Sequence, residues 1–385
     1  MKILITNIWL VGTGGTEMYT KELALSLKKR GHEVGVYSPE LGALAQSIQE
    51  AGVAVVDSLD QLKFRPDVIH THQFRPSLEA ILFFPEIPVV YVLHDREFPG
   101  DFPPDLPQIV RHIPVDKRCL QRLIVDNQIS ERACSIIPNW VNTQRFKQKQ
   151  EWNLHPKRAA VFSNYATKDN YAVAIQEACQ VLNIPLDIIG HGAGTATQYP
   201  EKMLWKYDVV FAKAKAAMEA MASGAFVILC DFKGLGEAVS LDNFEHLRTY
   251  NFGAQILTKP HDSSLIIKEL KKYNRDTAKK VSNHLRESAG LEEVVDELCA
   301  VYTQAKDQEI ESQPQKQANY QSILRLLQKE EGRVKNLQQN LSMENSELQA
   351  RIQELQLINK EITQSWSFKL GRILTAPLRL LLGKK

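Results

Sequence analysis

Apolar residues gather into short runs along most of the chain, and most runs are followed by a stretch of helical periodicity. Met1 to Ile8 reads as a buried strand. Thr16 to Arg30 reads as an amphipathic helix, with Met18, Leu23, Leu25 and Leu27 among Lys and Glu, closed by Gly31-His32. Glu33 to Tyr37, Val53 to Asp57, Val68 to Thr71 and Pro88 to Leu93 read as further strands, with a helix over Leu41 to Ala51. Repeated strand–helix units predict a parallel, doubly wound α/β sheet.

The pattern breaks at Ile137-Pro138-Asn139, stays polar from Asn142 to Leu154, and restarts at Ala159-Ala160-Val161-Phe162. A strand over Pro185 to Ile189 then runs into Gly190-His191-Gly192-Ala193-Gly194. Tyr207 to Val239 reads as strand, helix, strand and Gly-rich turn, and helices occupy about Ser263 to Ala305. The predicted fold is therefore α/β, with two facing Rossmann-like domains over residues 1–145 and 146–305 and a helical tail.

Residues 306–363 are predicted as linker and coiled coil. The part up to 319 is polar and aperiodic. From Ile323 a heptad emerges, with Leu327, Val334, Leu341, Leu348, Leu355 and Ile362 in one column and Ile323, Glu330, Leu337, Glu344, Arg351 and Ile358 in the other. One clean seam and one half-polar seam fit a homodimeric coiled coil, or a helix packed on its own protein. Gly332 weakens that helix by ~1 kcal/mol relative to Ala. Residues 364–385 combine Trp366, Phe368, Leu370, Ile373, Leu374 and Leu380 to Leu382 with Lys369, Arg372, Arg379, Lys384 and Lys385, and contain no acid from Ser365 on. Such a basic, aromatic-bearing apolar segment predicts contact with a membrane surface; the alternative is a terminal helix docked on a domain or a partner.

Composition narrows the partners. A hydrophobic fraction of 44% supports well-filled cores, and a net charge of +2 gives no bulk attraction to nucleic acid. The five cysteines are odd in number and widely spaced, with no CxxC pair, which fits a reducing cytosol. The opening MKILITNIWLVGTGG ends in a Gly-rich turn and a helix, so it reads as a buried strand rather than a leader. No run of about 18 apolar residues is present to span a bilayer. The expected location is the cytoplasm, at the inner face of the membrane.

The candidate chemistry lies at the ends of strands. Glu219 is expected near the first turn of its helix, where a carboxylate suits two neighbouring ribose hydroxyls. Gly12-Thr13-Gly14-Gly15-Thr16-Glu17 follows the first strand and precedes a helix, a setting in which backbone N–H groups approach a diphosphate. It lacks the G-x-G-x-x-G spacing of a dinucleotide fold. His70, His72 and His94 close strands. His-x-His has no third ligand at a suitable spacing, so no metal and no cofactor are expected.

Several of these stretches resemble the retaining glycosyltransferases of family 4. They are the Gly-rich loop, Lys29-Arg30-Gly31-His32-Glu33-Val34, Asp67 to His72, Ile137-Pro138-Asn139-Trp140-Val141-Asn142 and Glu219-Ala220-Met221-Ala222-Ser223-Gly224. The resemblance, over about residues 1–305, implies a GT-B fold and metal-independent transfer of a sugar from a nucleotide donor to a glycan or lipid-linked acceptor in cell-surface polysaccharide synthesis. It implies that Gly14 and Gly15 lie near the diphosphate or the transferred sugar. His94 would contact the sugar near its 6-hydroxyl, Glu219 would hold the ribose, and Gly234, Gly236 and Glu237 would line the nucleotide pocket, with Gly192 a further donor contact.

The family's first glutamate falls on Phe211, so the donor motif is shortened. In this it is similar to the single-glutamate, inverting transferase that adds N-acetylglucosamine to lipid II precursors. The usual basic pair is replaced by Lys168, with Lys213 and Lys215 as substitutes for the phosphate clamp. Asp95 or Glu97 would serve as base in an inverting route. The alternatives are a GT-B sugar-nucleotide 2-epimerase and a non-catalytic GT-B scaffold.

Overall fold

A computed structural model of the chain describes residues 1–12, 14–197, 199–308, 310, 314–365 and 370. Residues 1–312 form one compact unit and 313–385 a second. The first half of the larger unit runs β1 (Lys2–Thr6), α1 (Gly15–Lys29), β2 (Glu33–Tyr37), α2 (Ala43–Glu50), β3 (Ala54–Val56), β4 (Val68–His72), α3 (Phe74–Phe83), β5 (Val89–Leu93), β6 (Ile109–Pro114) and α4 (Lys117–Gln121). Its six strands pair in the order β3-β2-β1-β4-β5-β6, all parallel. Every residue of β4 and β5 is buried, as expected of central strands with both faces covered.

The second half runs β7 (Ala159–Phe162), α5 (Ala172–Val181), β8 (Leu186–Ile189), β9 (Val209–Ala212), α6 (Ala214–Ala222), β10 (Phe226–Asp231), β11 (Gly234–Ala238), α7 (Leu241–Arg248), α8 (Ser263–Leu270), α9 (Arg275–Ser288) and α10 (Leu291–Lys306). Strand order is β11-β10-β9-β7-β8, parallel except for β10 with β11. Two apolar layers cover the faces of this sheet. The architecture is thus the pair of Rossmann-like lobes that the periodicity predicts.

Three local expectations need correction. The Gly-rich turn after β10 is the antiparallel strand β11, reached through a tight turn at Phe232-Lys233. A Cβ on Gly234 would lie 2.6 Å from the Leu257 carbonyl oxygen, so glycine permits the close approach of backbone that makes this edge. β6 was not apparent because Arg111 and His112 interrupt its apolar run, a pattern suited to the edge strand it forms. Glu219 is the sixth residue of α6 and sits in its second turn, not its first.

The lobes are joined by two crossings that pair with each other. Val141 N–H donates to the Ala289 carbonyl at 2.9 Å, and Leu291 N–H donates to the Val141 carbonyl at 3.0 Å. Beyond the second crossing, α10 returns to the first sheet. Leu291, Val294, Val295, Leu298, Tyr302 and Ala305 are all buried in the first lobe's core. The last helix of the second lobe in sequence is therefore part of the first lobe in space.

The smaller unit holds α11 (Pro314–Gln364), so the helix begins inside the stretch the sequence assigns to the linker. Val334, Leu337, Leu341, Leu348, Leu355, Ile358 and Ile362 of the heptad columns are exposed along it. The membrane-contacting tail at 364–385 lies outside the described residues except for Gln364, Ser365 and Leu370. Among the described residues no helix is long and apolar enough to cross a membrane.

Leu298 is fully buried between α10 and the first sheet. Leu298→Ala is expected to lower unfolding free energy by about 2–5 kcal/mol in denaturant titrations of the full chain, because the cavity opens in the first lobe's core.

Candidate functional site

In an open parallel sheet, ligands collect at the carboxyl ends of the strands, where strand order reverses. In the first lobe that point lies between β1 and β4, and in the second between β7 and β9. Each rim carries a non-glycine residue in the left-handed region. Gln73 (φ 57°) directly follows β4, and Ala214 (φ 48°) opens α6 after β9. Strain of this kind concentrates where a fold positions function.

On the first rim the Gly-rich loop is already filled. The Glu17 carboxylate accepts from the N–H groups of Val11 (3.1 Å), Gly12 (2.7 Å) and Gly14 (2.7 Å). A Cβ on Gly14 would meet Glu17 Oε2 at 2.3 Å, so this glycine makes room for the chain's own carboxylate. Gly15 opens α1 beside it. Three of the N–H groups at this loop are thus engaged by an internal anion.

The three histidines come together beneath this rim. Residues two apart in a strand share a face, which aligns His70 with His72. The β4–β5 register sets His72 opposite Val92, two residues before His94. His70 Nε2 and His72 Nε2 are 3.2 Å apart, and His72 Nδ1 and His94 Nε2 are 2.9 Å apart. The Tyr302 hydroxyl, from α10, lies 2.6 Å from His70 Nδ1. Burial drives His70 and His94 down to about 3, and His72 well below the usual histidine range. The Lys215 ammonium is the second cause for His94, because it would repel a charged imidazole across the lobe junction. The loop carrying His94 is pinned by Asp101. Its Oδ2 accepts from the N–H groups of His94 (2.9 Å) and Asp95 (2.8 Å), and its Oδ1 accepts from the Tyr91 hydroxyl at 3.0 Å. Burial pushes Asp101 up to about 6 against the pull of these donors.

Lys215, on α6, reaches the first lobe. Its ammonium is 2.7 Å from Glu22 Oε2 on α1, and the Trp140 indole N–H donates to the same oxygen at 2.9 Å. Glu22 Oε1 is buried without a hydrogen-bond partner among the described residues. Glu219 is buried beside this pair. Burial first, and then the Glu22 charge, push it up to about 7, while Lys215 and Arg145 pull the other way. Arg145 is paired with Glu201 at 2.9 Å. Glu22, Trp140, Tyr302 and Asp101 are thus site-building residues that sequence reasoning missed. For Glu22 a signal existed, since it lies three positions after Tyr19 on the buried stripe of α1.

The other predicted residues lie apart from this junction. Lys213 pairs with Asp231 at 2.7 Å and stands 5.7 Å and 5.1 Å from the ring centres of Tyr165 and Phe232. Lys168 is exposed in the loop after β7. Gly192 sits in a tight turn after β8, its N–H donating to the Asn164 carbonyl at 3.0 Å. Gly234, Gly236 and Glu237 lie in β11, with Glu237 exposed and 3.7 Å from Lys259. Glu97, on the loop after β5, lies 3.7 Å from Lys233 of the second lobe. Among the described residues no group of three His, Cys, Asp or Glu side chains is arranged to hold a metal ion.

Two facing lobes with this strand order, and a terminal helix returned to the first lobe, can be compared with known proteins. Residues 13–145 match the model of Glycosyltransferase Family 4. A glycosyltransferase from Rickettsia africae has a similar structure (TM-score 0.57, 12% identity, covering 80% of this chain and 99% of that one). So does HepE of Anabaena, solved with UDP and glucose (TM-score 0.55, 12% identity, 79% and 99% covered). A third is a sucrose-phosphate synthase from Thermosynechococcus elongatus (TM-score 0.50, 13% identity, 79% and 98% covered). No curated protein matches the sequence significantly.

This is a GT-B protein, similar to glycosyltransferase family 4. The family match ends at Arg145, so it covers the first lobe and the first crossing, whereas the structural likeness extends over both lobes. In this GT-B frame the residues that meet at the lobe junction are His94, Lys215 and Glu219, with Glu22 and Trp140 between them.

The buried Glu219 has a thermodynamic signature. Its folded value, about 7, exceeds the ordinary 4.5, so the folded state resists its ionisation. The stability it contributes is complete below about pH 4.5 and is lost as pH rises through 7. Glu219→Gln removes that loss. The stability of the Gln variant relative to the parent is expected to rise between pH 5 and pH 8 by at most roughly 3 kcal/mol, read from paired denaturation curves.

Proposed function

We propose that this GT-B protein is a glycosyltransferase that moves a sugar from a nucleotide-sugar donor to a glycan or lipid-linked acceptor in cell-surface polysaccharide synthesis. The observation that carries this reading is the meeting, at the lobe junction, of a neutral histidine from one sheet rim with a lysine and a buried carboxylate from the other. The UDP and glucose held by the Anabaena neighbour support a nucleoside diphosphate as the first probe.

When the glycosidic bond breaks, negative charge develops on the β-phosphate. Lys215, Lys213 and Lys168, with the N–H groups at the start of α6, are the proposed groups that stabilise it. Lys215 would exchange Glu22 for phosphate. Glu22 and Glu219 would then accept hydrogen bonds from donor hydroxyls, which supplies the partner that Glu22 Oε1 lacks. His94, uncharged at neutral pH, would donate to or accept from a sugar hydroxyl without drawing the diphosphate away from the lysines. Gly14, Gly15, Gly192, Gly234, Gly236 and Glu237 are proposed to border the donor. The transfer is proposed to run without a metal ion, the lysines supplying the positive charge. Same-face attack assisted by the departing phosphate would retain configuration, whereas Asp95 or Glu97 acting as base would invert it. Closure of the lobes would exclude water and limit donor hydrolysis.

The exposed heptad positions of α11 support pairing with a second copy through a coiled coil. The basic apolar composition of 364–385 supports peripheral attachment at the cytoplasmic face of the membrane, where lipid-linked acceptors sit. Deleting residues 365–385 is expected to move the protein from the membrane pellet to the soluble fraction; unchanged fractionation would remove the attachment from the proposal.

A non-catalytic scaffold is the second reading. It is favoured by Glu17 filling the Gly-rich loop and Glu22 engaging Lys215. Thermal-shift titration with UDP, GDP and ADP, followed by turnover of the matching nucleotide-sugars, separates the two. The enzyme reading predicts a rise in Tm with at least one diphosphate, since a ligand that binds only the folded state stabilises it. It also predicts that Lys215→Ala loses about a hundredfold in turnover. The absence of both shift and turnover across the panel establishes the scaffold.

A further inference from the structure

Four aromatic side chains from three separate parts of the sequence form one hydrogen-bonded line in the first lobe: Tyr302, His70, His72 and His94. Tyr302, His70 and His72 are buried, and His94 is half-buried at the junction. His94 Nδ1 makes no hydrogen bond to the described residues. Tyr19 packs on all three imidazoles, with ring centres 5.9, 5.2 and 4.7 Å away, and Trp140 lies 3.9 Å beyond it. The rings are therefore fixed in position, with Tyr302, His70 and His72 shielded from water and His94 open to the junction.

Proton counting restricts their tautomers. Each neutral histidine carries one N–H, and the tyrosine adds one O–H, which makes four protons for three links. A link with two protons clashes and a link with none leaves two lone pairs opposed, so each link takes one proton. The fourth must lie at an end of the line. Tyr302 is fully buried, and its hydroxyl has no other partner among the described residues. A hydroxyl proton turned away from His70 would have no acceptor, and a buried donor without an acceptor is costly. Tyr302 therefore donates to His70 Nδ1, His70 Nε2–H donates to His72 Nε2, and His72 Nδ1–H donates to His94 Nε2. The surplus proton comes to rest on His94 Nδ1.

We infer that Tyr302, His70 and His72 are positioning residues that fix His94 as its Nδ1–H tautomer, so that His94 presents a hydrogen-bond donor at the lobe junction. An isolated neutral histidine prefers the opposite form, with the proton on Nε2; the line reverses that preference. Its physical basis is the rule that the bond made by one imidazole nitrogen sets the state of the other. The line orients a donor and does not export a proton, since burial holds the Tyr302 hydroxyl well above its ordinary value and closes the far end. Because Tyr302 belongs to α10, the helix that follows the second lobe, the state of His94 depends on that helix being seated on the first sheet. The donor role at the junction rests on the glycosyl-transfer reading; the tautomer does not.

The test reads the ring nitrogens of the full chain directly. With 15N-histidine label, long-range 15N–1H spectra separate protonated from unprotonated ring nitrogens, and single His→Asn variants assign them. The expected result at pH 7.5 is a protonated Nδ1 on His94 and His72 and a protonated Nε2 on His70. Tyr302→Phe removes the hydroxyl that gives the line its direction. His94 is then expected to show both tautomers, with kcat for nucleotide-sugar turnover falling about tenfold at unchanged donor KM. Nε2–H on His94 in the parent chain overturns the inference. So does a Tyr302→Phe variant that loses thermal stability but keeps the parent ring pattern, since that is what a purely structural tyrosine would give. The ring pattern found in a chain that turns over no nucleotide-sugar supports the line and removes the transferase reading. Turnover without the pattern removes the line and leaves the transferase.

Discussion

A buried carboxylate needs partners, and the partners of Glu22 come from three regions of the chain. Its Oε2 takes the indole N–H of Trp140, from the first crossing between lobes, and the ammonium of Lys215, from the second lobe. Removing a charge from water costs several kcal/mol, returned only when the counter-charge and donors are well placed. Glu22 therefore ties the crossing segment and α6 to α1 at one atom. The relative placement of the two rims follows from that requirement, and so does the burial of Glu219, whose ionised form is opposed by low polarity and by the charge of Glu22. The arrangement stores an unfavourable electrostatic relation that a cation or a set of hydroxyl donors would relieve.

The histidines answer the same constraint in the opposite way. Where Glu22 is paired with a lysine, the three imidazoles share one face with little water and no carboxylate in the line, and burial keeps them neutral. The Lys215 ammonium reinforces this at His94. Lys215 thus pairs with an acid on one side and, secondary to burial, disfavours a charged imidazole on the other.

The fold was legible because parallel strands buried on both faces must be nearly continuous apolar runs, as β4 and β5 are, and because amphipathic helices separate them. What was illegible depended on long-range contact. Tyr302 and His70 are 232 positions apart, and nothing local marks Tyr302 of α10 as the end of a polar line. Glu22 lies on the buried stripe of α1, but its partners Lys215 and Trp140 are 193 and 118 positions away and nothing local names them. Glu219 was expected near the first turn of its helix and lies in the second, because α6 opens early on a left-handed Ala214. Lys213 and Lys215 looked interchangeable in sequence. Lys213 precedes α6 in an extended conformation and Lys215 lies in the helix's first turn, which sends one to Asp231 and the other across to Glu22.

The Gly-rich loop shows why a motif's context does not by itself fix its ligand. Three N–H groups converge there, as they would for phosphate, yet Glu17 meets them from within the same loop–helix segment. An intramolecular carboxylate held three to six residues away has a high effective concentration, so a free anion competes poorly for the same donors unless it brings more charge than one carboxylate. A diphosphate does. Under the proposed function the loop would exchange an internal anion for a more highly charged external one, and by the same logic Lys215 would leave Glu22 to reach a phosphate. Both exchanges break a contact on α1. A ligand entering the junction would thus act on that one helix twice, at its first turn through Glu17 and one turn later through Glu22, and α1 packs directly against α10, which carries Tyr302.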